Sequence, residues 1–151
     1  MAQVHFLTSE EVKSVESAAA SAAVRSSAAV RIFIAMKSGK NPLRDAMRAY
    51  EALGLKEKGG VSILFYVSVR DKKIAVFGGD SVNEKAGEGF WEKIKGAVIE
   101  KFKEGDFAIG LIGGINMAVE KLAEIFPAEE GMEAEGAAAV FYSPGTGPAD
   151  A

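Results

Sequence analysis

Cysteine is absent from the chain, and histidine occurs once, at His5. Without thiols there is no disulfide, no thiolate nucleophile and no sulfur for a metal. One imidazole is fewer than zinc sites normally use. A Ser-His-Asp triad would depend on His5, a terminal residue beside Phe6. Long apolar runs are also missing. The least polar stretch, Phe107 to Val119, is 13 residues, the length of a core helix and too short to cross a bilayer. Met1 to Val12 has neither a basic n-region nor an apolar h-region, so no signal peptide and a cytoplasmic location are expected. Neither sign of charge dominates: 18 basic against 21 acidic residues leave a formal net charge of −3. Lys93, Lys95, Lys101 and Lys103 alternate with Glu92, Glu100 and Glu104, the pattern of a solvated helix face. No nucleic-acid partner is expected.

The remaining composition is that of a globular domain, 48% hydrophobic and 26% charged over 151 residues. A chain of this length buries roughly 70% of its extended-state surface. Ser62 to Val69 is a continuous apolar run without alternation, as in a strand covered on both faces. Val30–Met36 reads as a strand before it. The helical segment between them makes a strand-helix-strand unit, which is parallel and right-handed. Arg70-Asp71-Lys72 is too short for a crossover, so Lys73–Phe77 returns antiparallel as a hairpin. The fold class is therefore α/β: a small mixed sheet, a parallel pair plus an antiparallel hairpin strand, sandwiched between α-helices.

Local signals place the helices. Thr8-Ser9-Glu10-Glu11 is a capping box, with Leu7 and Val12 at the staple positions, and opens a helix running to about Arg25. Its stripe is Val12, Val15, Ala19 and Ala22/Ala23. Asn41 caps the next helix, Pro42 takes its first position and Gly54 stops it. Leu43, Met47, Tyr50 and Leu53 are its expected buried stripe. A third helix is read from Glu84 or Gly87 to Lys103, ending at Gly105. Asp106 caps a fourth, along which Gly110, Gly114 and Ala118 recur every four residues. Each glycine there costs about 1 kcal/mol against alanine, so a close contact with the sheet or another helix is expected in compensation. The domain is assigned to residues 1–127. Residues 128–151, acidic through Glu129, Glu130, Glu133, Glu135 and Asp150, form a Gly/Pro-rich tail expected to be flexible. Within it, Ala137 to Tyr142 is a candidate either for an edge strand or for packing on the surface.

This topology places the end of the hairpin strand, Gly78-Gly79-Asp80, beside the beginnings of the two parallel strands. That edge gathers Asp80, Ser81, Asn83, Glu84 and Glu88. Asp80, Asn83 and Glu84 are short oxygen donors suited to a hard cation, calcium or magnesium, and are the candidate metal ligands. The competing reading makes Ser81 or Asn83 a helix cap and sets Asp80 and Glu84 against the helix dipole. The spacing is not that of an EF-hand, and Gly110 to Gly114 is not a dinucleotide fingerprint. The opposite edge gathers Asp71, Asp106 and the Lys37 to Asn41 loop.

Several segments together resemble the TPM-domain family. They are His5-Phe6-Leu7-Thr8, Val30-Arg31-Ile32, Leu53-Gly54, Val67 through Ile74, Gly79-Asp80 with Asn83-Glu84-Lys85, Phe90-Trp91, and Phe102 through Phe107 with Gly110-Leu111. The resemblance covers about residues 5 to 127 and implies a mixed sheet between helices. It also implies two activities: some members are described as calcium-binding, and a plant relative from the thylakoid lumen has been called an acid phosphatase. Two departures bear on both. Ala28-Ala29 stands where relatives carry Gly-Glu, and Val61-Ser62 where they carry Asn-Gly.

The expectation is a non-enzymatic TPM-type binding or accessory domain, needing no cofactor and binding calcium or magnesium at ~10⁻³ M or weaker. The alternative is a metal-assisted acid phosphatase, in which Arg25 or Lys85 would stabilise charge. A third reading is a protein-interaction surface on the acidic tail or the Gly110/Gly114 ridge.

Overall fold

A computed structural model describes residues 7–36, 41–55, 61–70, 73–128 and 140–142. His5, the Lys37–Lys40 loop, Gly59-Gly60, Asp71-Lys72 and most of the acidic tail lie outside the described residues. In chain order the elements are α1 (Ser9–Arg25), β1 (Ala29–Ala35), α2 (Pro42–Ala52), β2 (Ser62–Ser68), β3 (Lys73–Gly78), α3 (Asp80–Ala86), α4 (Glu88–Lys103), α5 (Phe107–Ile125) and β4 (Val140–Tyr142).

The four strands form one mixed sheet in the order β3-β2-β1-β4. β1 and β2 are parallel, with Ala29 opposite Ser62 and Ala35 opposite Ser68. β3 returns antiparallel on β2, and β4 adds parallel to β1 at the far edge. The candidate edge strand at the end of the chain is thus realised as Val140–Tyr142.

Every residue of β2 is buried, as its unbroken apolar run requires. Odd and even positions divide between two cores. Ile63, Phe65 and Val67, with Val30, Ile32 and Ile34, pack under α1, α4 and α5. Leu64 and Tyr66, with Ala35 and Ala75, meet α2 in a smaller cluster.

The capping box of α1 is formed: Glu11 N donates to Thr8 Oγ1 at 3.2 Å, and Thr8 N donates to Glu11 Oε1 at 2.9 Å. The glycine ridge of α5 faces α4. A Cβ on Gly114 would lie 2.5 Å from Val98 Cγ2 and 3.3 Å from Phe65 Cε1, and one on Gly110 would lie 2.9 Å from Lys101 Cβ. The ridge is therefore the packing seam between α5 and α4, and not a surface open to a partner.

Three local expectations are corrected. α2 buries Ala46, Ala49 and Tyr50, while Leu43 and Met47 are 49% and 45% exposed. Two alanines let the helix backbone sit close to the sheet, and this rotates its larger aliphatic side chains outward. The third helix is two helices, since Gly87 at φ 83° ends α3 and starts α4. Asp106 occupies the N-cap position of α5 with φ −91° and ψ 68° but makes no side-chain capping bond.

Candidate functional site

The edge where β1 and β2 begin and β3 ends is assembled as the topology requires. Ala29 N donates to Val61 O at 3.2 Å, and Gly79 N donates to Ser62 O at 3.0 Å, which knits three strands together there. Asp80 follows at once as the first residue of α3 and is exposed. Glu84, one turn later, is also exposed and shares its side of the helix by i,i+4 spacing.

Asn83 does something different. Its Nδ2 donates to Gly78 O at 2.9 Å, and its Oδ1 accepts from Trp91 Nε1 at 2.6 Å. Both ends of the amide are engaged, one on the last carbonyl of β3 and one on the first turn of α4. Asn83 thus lies inside α3 and does not cap it. The N-cap is Gly79, without a side-chain capping bond. Gly78 is required by this arrangement, because a Cβ there would lie 2.6 Å from Trp91 Cζ2 and 3.1 Å from Asn83 Oδ1.

Behind Asp80, on the α2 side of the sheet, are two hydroxyls that the sequence did not single out. Tyr50 is 3% exposed and Ser62 is 1% exposed. Neither hydroxyl makes a well-formed hydrogen bond. Burial raises the Tyr50 hydroxyl above its ordinary pKa of 10.0; the nearby Ser62 hydroxyl opposes that rise, and the charge of Asp80 adds to it. The Tyr50 ring is held edge-on to Phe77 with centroids 4.9 Å apart. Tyr50 was legible only as a buried aromatic on a helix stripe. The clue to more was its hydroxyl, which a helix packed on a sheet must orient toward something polar.

Chemically, this edge offers one exposed carboxylate at its rim, a second one helical turn away, and two buried hydroxyls. Ala29 pairs with Ser62, so neither strand brings an acid toward Asp80 at that register. Among the described residues no three His, Cys, Asp or Glu side chains are grouped to hold a metal ion. Of the two cations considered for charge stabilisation, Lys85 places Nζ 4.8 Å from the centre of the Phe126 ring. Arg25 is the last residue of α1 and is exposed.

A family model described as TPM domain matches residues 1–121. The chain belongs to the TPM-domain family. Its fold is similar to that of BA42 from the psychrophilic bacterium Bizionia argentinensis, with a TM-score of 0.83 and 28% identity, over 92% of this chain and 97% of that one. It is also similar to the N-terminal domain of a P. gingivalis protein, at TM-score 0.65 and 17% identity over 80% and 78%. The N-terminal domain of cg2496 from Corynebacterium glutamicum matches at 0.63 and 10% over 91% and 82%. These last two likenesses concern the fold alone. No curated protein matches the chain. Among the described residues of this TPM domain, no helix is long and apolar enough to cross a membrane.

Proposed function

We propose that this TPM domain is a cytoplasmic binding or accessory module and not an enzyme, with weak divalent-cation binding at the Asp80 edge. The observation that carries the reading is the pairing of Ala29 with Ser62 beside Gly79-Asp80. It gives the edge hydroxyl and methyl groups where a tight site would gather carboxylates. Asp80 and Glu84 supply the charged oxygens. Asn83 Oδ1, already accepting from Trp91, has one lone pair left to offer. Calcium takes six to eight oxygens, so water would complete most of the shell, and few charged ligands mean affinity near ~10⁻³ M. The helix dipole at the start of α3 works in the same direction by opposing a cation on its axis.

The test is a calcium and magnesium titration of the isotope-labelled chain, together with an aryl phosphate assay at acidic and neutral pH. Millimolar shifts centred on Asp80 and Glu84, without turnover, are expected. Micromolar calcium binding abolished in Asp80→Ala and Glu84→Ala would make the module calcium-dependent. Robust turnover lost in Asp80→Ala would replace the binding reading with a metal-assisted acid phosphatase.

A further inference from the structure

β3 is the outer strand of the sheet, and its ladder pattern can be read from a single bond. Gly79 N donates to Ser62 O, so Gly79, Phe77, Ala75 and Lys73 turn their backbone groups toward β2. Gly78, Val76 and Ile74 turn theirs outward. Gly78 O is taken by Asn83 Nδ2 at 2.9 Å, which confirms the alternation. Beyond Gly78, the outward strand groups at Val76 and Ile74 form the floor of a cleft of about 930 Å³. One wall is the start of α2, with Pro42 and Leu43; the other is α4, with Trp91, Lys95 and Ile99.

Ile74 and Val76 are themselves buried, so the strand edge is recessed between the two helices. A recessed edge rejects a second copy of this sheet, whose own helical layers would collide with the walls. It admits a single extended strand, which brings no layers with it. Charge narrows the occupant further. Among the described lining residues, Lys73 and Lys95 stand against one acid, Glu92, and the start of α2, the positive end of its dipole, lines the same cleft.

We propose that this cleft docks an extended, acid-flanked peptide segment of a partner protein, which adds as a fifth strand on β3. The segment's backbone bonds to Ile74 and Val76, and alternate side chains rest against Leu43 on one wall and Trp91 on the other. This is the strand-addition mode of peptide recognition, and it is independent of the Asp80 edge.

The test follows amide shifts of the isotope-labelled full chain on adding peptides of roughly eight residues alternating Val and Thr. One is flanked by Glu and one by Lys; a third is the Glu-flanked peptide N-methylated at alternate amides. The Glu-flanked peptide is expected to shift the Ile74 and Val76 amides and slow their exchange, while N-methylation abolishes the effect. Lys73→Glu, at an exposed position, should keep the fold and weaken the Glu-flanked peptide about fivefold, as one partly screened charge pair reversed would do. The proposal is overturned if no peptide moves Ile74 and Val76, or if the N-methylated peptide acts as well as its parent. Equal binding of the Lys-flanked peptide removes the acidic partner. Shifts at β3 that depend on protein concentration without peptide make the occupant a second copy and overturn it too.

Discussion

The two faces of the sheet are built from the same strands and packed in different ways. Under α1, α4 and α5, Ile32, Ile63 and Phe65 are completely buried, and the helices close over them through small residues such as Ala19, Ala22 and Gly114. Under α2 the cluster is smaller and includes polar groups: Tyr50 and Ser62 bring hydroxyls into it with no well-formed hydrogen bond. Bulk apolar burial is the main source of stability. Buried hydroxyls without partners cost free energy. The first face therefore carries the fold, and the second gives up stability next to the candidate site, as sites often do.

The sharpest test of that difference is Phe65→Ala, which empties the middle of the thicker face. A loss of about 3–5 kcal/mol in urea unfolding is expected; a loss below about 1.5 kcal/mol would mean that this face does not dominate. Next comes the seam. Gly114→Ala pushes a methyl into Val98 and Phe65, and overpacking outweighs the better helix propensity for a net loss of about 1–2 kcal/mol. Gly113→Ala, which meets no atom within 4 Å, should instead gain up to about 1 kcal/mol by propensity alone. The same sign for both substitutions would dissolve the seam.

Smaller still is Asn83→Ala, which frees Gly78 O and Trp91 Nε1. About 1 kcal/mol is lost, with a change in tryptophan emission. Last, with the opposite sign, Tyr50→Phe on the thinner face should leave stability unchanged or raise it by up to about 1 kcal/mol, because it removes a hydroxyl that has no good partner. The pH dependence has a definite sign. Below the ordinary tyrosine pKa of 10.0 both folded and unfolded chains hold this proton, so the group contributes no slope. Above it the unfolded chain releases the proton first, and stability falls as pH rises toward the raised folded value. The fall should be shallower in Tyr50→Phe.

What the sequence made legible follows from these same contrasts. The unbroken run Ser62–Val69 and the short turn after it determined strand direction and the meeting of Asp80 with the starts of β1 and β2, because connection length and burial are local signals. The glycine period of α5 announced a close contact, although not that α4 would make it. Less visible was anything set by a rotation or a break. The stripe Leu43-Met47 had the right period, yet Ala46 and Ala49 won the sheet side because small residues permit closer approach. By position alone Asn83 reads as a helix cap or, second to that, as a ligand. Its engagement with Trp91 depends on Gly87 turning the chain, which spacing alone does not reveal. The Tyr50–Ser62 pair joins residues from separate elements, and no local pattern announces such a meeting.

That turn at Gly87 has a mechanical side. α3 and α4 are two rods joined at an elbow whose φ of 83° only glycine adopts readily. The bond from Trp91 to Asn83 runs across the elbow as a strut, closing a triangle of two helices and one tie. A triangle does not shear, so Asp80 and Glu84 keep their bearing on the sheet for as long as the tie holds. Any swing of α3 must either break it or twist the elbow. Because Trp91 is the only tryptophan in the chain, its emission is a built-in gauge of that joint, readable without a label.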